Sequence, residues 1–143
     1  MVYKVFLDTN IVIDFFQKTR ALHKEAKQLF FDIADGKIDG YFSESVINTT
    51  AYILRNDLPK DQLIYQLDVL NSQLTILPCT NLTIHNAYKR AKNDLEDAVL
   101  YQLALEHGLD YFVTSDIDDL KKIVSASLPI ITSPELIKLI NNL

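Results

Sequence analysis

The sequence predicts an α/β domain with a mainly parallel sheet and helices on both faces. Short runs rich in β-branched and aromatic residues alternate, through most of the 143 residues, with longer segments whose apolar residues recur at three- and four-residue spacing. Runs of the first kind are typical of buried strands, and those of the second kind are typical of amphipathic helices. Their alternation favours crossover connections, which make neighbouring strands parallel.

The first strand and the first helix meet at Asp8. An apolar run over residues 5–7 stops at this acid, and residues 11–16 place their apolar members in helical order. Ligands of open α/β sheets bind at the carboxyl ends of the strands. Asp8 is therefore the first candidate for a functional residue.

The remaining elements follow from periodicity and from residues that begin or end helices. Strands are predicted at residues 37–42, 74–77, 111–113 and 129–131. Helices are predicted at residues 23–34, 43–54, 60–74, 81–92, 95–106 and 117–122, and from residue 133 onward. Four residues are expected at helix ends, with Ser43, Thr80 and Ser133 as N-caps and Gly108 at a C-terminus.

Length and composition indicate one domain spanning residues 1–143. The single Cys79 excludes an internal disulfide and a cysteine-rich zinc site, and it fits a reducing cytosol, so we expect a cytoplasmic protein. No apolar run is long enough for a membrane span, and the N-terminus lacks the pattern of a signal peptide. The formal net charge of -5 argues against binding nucleic acid by charge alone, but not against an enzyme whose bound metal supplies local positive charge.

Acidic residues are expected to meet at one edge of the sheet. Asp8 and Asp116 each follow the end of an apolar strand, and Asp119 lies one helical turn after Asp116. Asp97 begins a helix in register with the apolar positions 100, 101 and 104, where an unpaired carboxylate costs several kcal/mol. Each acid alone has an ordinary alternative as a helix cap, but a parallel sheet brings Asp8, Asp97 and Asp116 to one rim.

A cluster of carboxylates at this rim suits Mg²⁺ or Mn²⁺, which prefer oxygen ligands. Clustered carboxylates repel one another unless a cation lies among them, and such a cation activates a water for phosphoryl displacement. The sequence contains no G-x-S-x-G, Walker A, G-x-G-x-x-G or H-E-x-x-H motif, and His23, His85 and His107 lack ligand spacing. The residues thus favour phosphate-ester chemistry that needs no nucleophilic side chain.

The chain resembles PIN domains, which are metal-dependent ribonucleases, and in particular the small bacterial toxins of type II toxin–antitoxin pairs. The motifs that carry the resemblance are Leu7-Asp8-Thr9-Asn10, Leu95-Glu96-Asp97-Ala98, and Val113-Thr114-Ser115-Asp116 followed by Asp119-Leu120. Each motif is short, but their order and spacing are specific and the similarity covers nearly the whole chain.

The resemblance implies a three-layer α/β/α domain with about five parallel strands, and cleavage of single-stranded RNA by a metal-activated water. It implies that Asp8, Asp97 and Asp116 are the catalytic metal ligands, with Asp119 assisting. It further implies that Asn10 and Thr114 are polar residues that hold these ligands or a water.

The sequence departs from the family pattern in the helix after the second strand. Many PIN domains carry a Glu several residues into this helix, where this chain has Asn48 or Thr49. Glu44 lies four residues before Asn48, on the same helical face, and is the expected replacement as a metal ligand. Asp94 is a second candidate for this role.

Cationic and apolar residues suggest the partners. Arg20 and Arg90 are expected to flank the acidic pocket and contact RNA phosphates, the alternative being two solvated helix faces. The resemblance implies a small antitoxin protein as a further partner, and a second copy of the chain is also expected. The dimer is predicted from apolar residues in excess of what a small sheet covers: Phe15, Phe16, Leu63, Leu67 and Leu70.

Two other functions remain open on the sequence alone. The first is a PIN-like module that binds RNA or protein and is catalytically weak or inactive because the helix Glu is missing. The second is a haloacid-dehalogenase-like phosphatase, which needs a second Asp two residues after the first. Asn10 stands at that position and argues against the phosphatase.

Overall fold

A computed structural model describes residues 2–143 and contains one five-stranded sheet. The strands are β1 (Tyr3–Leu7), β2 (Ile38–Phe42), β3 (Thr75–Ile76), β4 (Tyr111–Val113) and β5 (Ile130–Ile131). Their order is β3-β2-β1-β4-β5, and every neighbouring pair is parallel. The predicted α/β class with a parallel sheet flanked by helices is confirmed.

Eight helices in the described residues connect or follow the strands. They are α1 (Thr9–Phe16), α2 (His23–Ala34), α3 (Glu44–Leu54), α4 (Lys60–Gln73), α5 (Asn81–Arg90), α6 (Leu95–Glu106), α7 (Ile117–Leu120) and α8 (Ser133–Asn141). The predicted bounds agree to within two residues, except for the cap of the last helix. Thr132, not Ser133, is the N-cap of α8, because Thr132 and Glu135 exchange hydrogen bonds in a capping box.

The central strand β1 fixes where the candidate site lies. Its pairing with β2 and β4 places Val5 opposite Gly40 and Tyr111, and its last three residues are fully buried. The ring of Phe6 stacks on that of Phe112 with centroids 5.2 Å apart. Since the strands are parallel, the residues that follow β1 and β4 emerge at the same edge of the sheet.

The apolar residues expected at a dimer interface pack inside the protomer instead. Leu63 and Leu70 are buried, and Phe15, Phe16 and Leu67 are partly buried against the two hydrophobic clusters of the domain. Packing within the protomer thus accounts for these residues without an interface, and the expected dimer stays a prediction. Within residues 2–143, no helix is both long enough and apolar enough to cross a membrane.

Candidate metal centre

Asp8 is held rigidly at the carboxyl edge of the sheet. Its N–H donates to the carbonyl oxygen of Val113 in β4 at 3.0 Å, which extends the β1–β4 pairing by one residue. Its Oδ1 accepts from the Thr9 N–H at 2.8 Å, and this contact caps α1. Its Oδ2 accepts from Thr114 Oγ1 at 2.8 Å and from Asn10 Nδ2 at 3.2 Å. With 4% of its surface exposed, the Asp8 carboxylate has little freedom to move.

Asn10 and Thr114 connect the end of β1 to the segment after β4. Asn10 Nδ2 also donates to Thr114 Oγ1 at 3.2 Å, and Asn10 Oδ1 accepts from the Ser115 N–H at 3.1 Å. Thr114 Oγ1 in turn accepts from the Asp116 N–H at 3.0 Å. One network of side chains therefore fixes Asp8 and the backbone of Asp116 relative to each other.

Asp97 reaches the same edge from the first turn of α6. Asp94 is the N-cap of this helix, and its Oδ1 accepts from the Asp97 N–H at 3.1 Å. Carboxylate oxygens of Asp97, Asp116 and Asp119 lie within 4.8 Å of one another, close enough to share a cation. Asp119 is thus a full member of the tightest acidic group, and Asp8 adjoins that group.

Burial and, after it, the repulsion between neighbouring carboxylates raise the pKa values of Asp8, Asp97 and Asp116. The pKa of Asp8 is raised to about 6, chiefly by burial, although its hydrogen bonds with Thr114 and Thr9 oppose the rise. The pKa of Asp97 is raised to about 7 by burial and then by the charges of Asp8 and Asp94. The pKa of Asp116 is also raised, by burial and by the neighbouring Asp119. A carboxylate group of this kind favours a bound cation, which would relieve the repulsion.

A cleft of about 290 Å³ opens beside Asp8 and Asp97. Residues of α1, α3 and α6 and of the α1–α2 connection line it, namely Asp8, Thr9, Asn10, Ile13, Gln17, Arg20, Thr49, Ile53, Glu96 and Asp97. Thr9 Oγ1 is buried here without a hydrogen-bond partner among the described residues. An unpaired buried hydroxyl beside a carboxylate indicates room for a polar ligand.

Glu96 is the site residue that the sequence prediction missed. It lines the cleft, and its negative charge raises the pKa of both Asp8 and Asp97. The signal that identifies it was present, because Glu96 immediately precedes Asp97 within the motif at residues 95–98.

Glu44, the first predicted replacement for the missing Glu of α3, lies apart from this cleft, whereas Asp94, the second, adjoins Asp97. Glu44 lines a separate cavity with Ser45, Pro78 and Cys79, and Asn48 is exposed. Thr49 is the residue of α3 that faces the acids, and it brings no charge. The structure therefore gives no support to Glu44 as a metal ligand or to Asn48 as a supporting residue.

The two arginines expected to contact RNA have different surroundings. Arg90 points inward: its Nη1 donates to the Ile123 carbonyl oxygen at 3.1 Å and its Nε donates to Gln102 Oε1 at 3.3 Å. These bonds tie α5 to α6 and to the segment after α7, so Arg90 has a structural role. Arg20 instead lines the acidic cleft while its Nε donates to Asp14 Oδ1.

Comparisons with known proteins agree with this architecture. A family model described as the PIN domain matches residues 4–118. Ribonuclease VapC1 of Aquifex aeolicus (strain VF5) is 26% identical over 137 residues, which is 92% of this chain and 92% of that protein.

Solved structures share the fold at low sequence identity. VapC20 of Mycobacterium tuberculosis, described as a Sarcin-Ricin loop cleaving toxin, is 17% identical with a TM-score of 0.66, over 82% of this chain and 93% of that one. A toxin–antitoxin complex from Klebsiella pneumoniae contains a chain that is 20% identical with a TM-score of 0.67, over 90% of this chain and 97% of that one. These likenesses establish the fold.

Proposed function

The chain belongs to the PIN domain family, and from this premise we propose that it is a metal-dependent endoribonuclease that cleaves single-stranded RNA, the toxin of a toxin–antitoxin pair. The observation that carries the proposal is the group formed by Asp97, Asp116 and Asp119, whose carboxylate oxygens lie within 4.8 Å of one another next to the buried Asp8. The relative named Ribonuclease VapC1 spans nearly the same length and supports the activity.

The acids fit a divalent cation. They offer only oxygen donors, as Mg²⁺ and Mn²⁺ prefer, and the raised pKa values of Asp97 and Asp116 reflect burial and then a charge repulsion that a cation relieves. Bound there, Mg²⁺ or Mn²⁺ would lower the pKa of a water and stabilise the negative charge that develops on the phosphate.

The chain's own residues orient this chemistry. Asp97, Asp116 and Asp119 would hold the cation through their carboxylates, and the buried Asp8 beside them would add a fixed negative charge. Asn10 and Thr114 keep Asp8 and the Asp116 backbone in register through hydrogen bonds of 2.8–3.2 Å. Asp94 caps α6 and thereby holds the Asp97 backbone. None of these side chains needs to form a bond to the substrate.

An antitoxin and a second copy of the chain complete the set of proposed partners. The toxin–antitoxin complex from Klebsiella pneumoniae, with the same fold, supports a small protein partner. Co-expression with a short reading frame encoded next to the gene, where one is found, should yield a stable complex in which ribonuclease activity is lost. Light scattering of each species would give the number of copies of the chain.

The activity is tested with purified protein and a labelled single-stranded RNA. Cleavage is expected with Mn²⁺ and is expected to stop with EDTA, and Asp97→Asn should lower the rate at least about 10²-fold. Asp61→Asn is the matched control, because Asp61 is also an acid in the first turn of a helix but lies on α4, outside the cleft.

Two outcomes would contradict the proposal. Equal cleavage in EDTA and in Mn²⁺ would exclude the metal mechanism. RNA binding without cleavage in any divalent metal would favour the binding module, for which the uncharged Thr49 at the α3 wall of the cleft is the supporting observation.

A further inference from the structure

Arg20 is the one cationic residue among the ten that line the acidic cleft. It also lines a second cavity of about 230 Å³, together with Asp14, Ala21, Leu22 and Ser115. The Arg20 side chain therefore lies between two adjoining cavities, one of which contains the acids. A strand of RNA that passes through both would cross over this guanidinium.

The Arg20 guanidinium is held by the buried acid Asp14. Asp14 is 3% exposed, and its Oδ1 accepts from Arg20 Nε. The backbone of the turn is fixed as well, because the Arg20 N–H donates to Gln17 O and the His23 N–H donates to Arg20 O, each at 3.1 Å. His23 Nδ1 also bonds the Asp14 carbonyl oxygen at 2.9 Å. Both the position and the orientation of the Arg20 side chain are thus determined.

This arrangement leaves the outer edge of the guanidinium available. Among residues 2–143, the hydrogen bond of the Arg20 side chain is made by Nε, so the four N–H groups on Nη1 and Nη2 have no protein acceptor. The Arg20 side chain is 38% exposed, whereas that of Asp14 is 4% exposed. A planar pair of terminal amino groups matches the oxygens of a phosphate and can bind them in a bidentate manner.

We propose that Arg20, oriented by Asp14, binds the RNA phosphate next to the one at which the acids act. This proposal rests on the function proposed above. It assigns Arg20 as a binding residue and Asp14 as a positioning residue. Asp14 Oδ2 is buried and has no hydrogen-bond partner among the described residues. Burying an unpaired carboxylate oxygen lowers the stability of the fold, and a role in orienting Arg20 is a reason for an acid at this position.

Two explanations of the Arg20–Asp14 pair predict opposite effects of Asp14→Asn on RNA binding. If Arg20 acted through charge alone, Asp14→Asn would strengthen RNA binding, since it removes a negative charge beside the guanidinium. If Asp14 orients Arg20, the same substitution weakens binding, because an amide holds the guanidinium less firmly than a carboxylate does. The substitution keeps the volume of the buried side chain, so little repacking is needed.

The test measures binding in the Asp97→Asn background with Mn²⁺, so that cleavage does not interfere. The probe is a fluorescein-labelled single-stranded RNA of about ten nucleotides, titrated at several salt concentrations. Arg20→Gln should weaken binding about tenfold and lower the salt slope by about 0.7. Arg20→Lys should weaken it about fivefold with the slope retained, and Asp14→Asn about threefold with the slope retained. Lys18→Gln, which removes an exposed charge two residues from Arg20, is the matched control and should change binding less than twofold.

The outcomes separate this proposal from the proposed activity. An Arg20→Gln variant that behaves like Lys18→Gln overturns the phosphate site, and tighter binding by Asp14→Asn overturns the positioning role. If Asp14→Asn unfolds, Arg20→Lys still decides whether the shape of the guanidinium matters. Arg20-dependent binding by a wild-type chain that never cleaves RNA overturns the activity alone.

Discussion

The acidic site, which comprises the cleft beside Asp8 and Asp97 and the adjoining Asp116 and Asp119, has two walls that are built in opposite ways. On the β1 wall, both oxygens of Asp8 accept hydrogen bonds, and the residue is almost fully buried. On the other wall, Asp97 and Asp116 are partly exposed, and Asp119 is exposed. The first wall is fixed by protein contacts, whereas the second brings together like charges that only an added cation would stabilise. Rigidity and affinity for a cation are thus assigned to different acids.

The largest effect that tests the difference between the two walls is expected in how the free energy of unfolding changes with pH. The pKa of Asp8 in the folded, metal-free protein is raised to about 6, whereas the unfolded chain has the ordinary value of 3.8. The folded state therefore binds the Asp8 proton more tightly than the unfolded chain does. The contribution of this proton to the free energy of unfolding is lost as the pH rises through the folded pKa. Between pH 4 and pH 8, the wild-type chain should lose about 2–3 kcal/mol relative to Asp8→Asn.

Urea unfolding in EDTA at each pH measures this difference. The Asn side chain does not titrate, so the variant is the reference for the groups that the Asp8 charge does not influence, and a second pair of chains that both carry Asp97→Asn removes the coupling with Asp97. A wild-type chain whose stability relative to Asp8→Asn stays constant, or increases with pH, would contradict the raised pKa.

An intermediate effect, on the free energy of unfolding and on the pKa of Asp8, is expected from removing one hydrogen bond to Asp8 on the β1 wall. Thr114→Val deletes the Oγ1 that donates to Asp8 and accepts from the Asp116 N–H. Stability should fall by about 2 kcal/mol, and the pKa of Asp8 should rise further because a bond that lowers it is lost. Urea unfolding measures the first change, and NMR titration of the Asp8 carboxyl carbon measures the second.

Thr50→Val is the matched control for this substitution. Thr50 is as buried as Thr114, but its Oγ1 has no hydrogen-bond partner among the described residues. Its replacement should leave stability unchanged or slightly higher, since no bond is lost. Equal losses in the two variants would show that Thr114 acts only through packing.

The smallest effect is expected at the exposed end of the cation-binding wall. Asp119→Asn should weaken Mn²⁺ binding and cleavage about tenfold or less, because two other carboxylates of the group remain. Asp118→Asn removes an equally exposed charge from the same short helix and should have no comparable effect. Titration of the RNA cleavage rate with Mn²⁺ would distinguish the two, and a larger loss in Asp118→Asn would refute the assignment of Asp119.

Features with local causes were predictable from the sequence. The helix at residues 23–34 has the predicted bounds because its apolar residues keep one face over three turns. Asp8, Asp97 and Asp116 were identifiable because each lies at a strand end or at the start of an inward-facing helix stripe. The cap at Thr132 was assigned one residue late, although the spacing from Thr132 to Glu135 contains the signal.

Features that depend on tertiary geometry were not predictable. Glu44 and Glu96 both lie in the first turn of a helix, and only the placement of α3 and α6 against β1 decides which of them faces Asp8. Arg20 and Arg90 are likewise similar in sequence context. The first meets a buried acid across a turn, and the second meets the Ile123 carbonyl oxygen after α7 and the Gln102 side chain in α6. Such pairings depend on loop conformation, which has no periodicity.

The hydrogen bond between Thr114 and Asp8 joins residues 106 positions apart in the chain. The cleft therefore cannot assemble during synthesis until β4 and α7 have left the ribosome, because most of its acids lie in the last third of the sequence. The order of the elements thus means that the acidic site is completed only after most of the chain has been made, and we expect the proposed ribonuclease activity to appear late in synthesis.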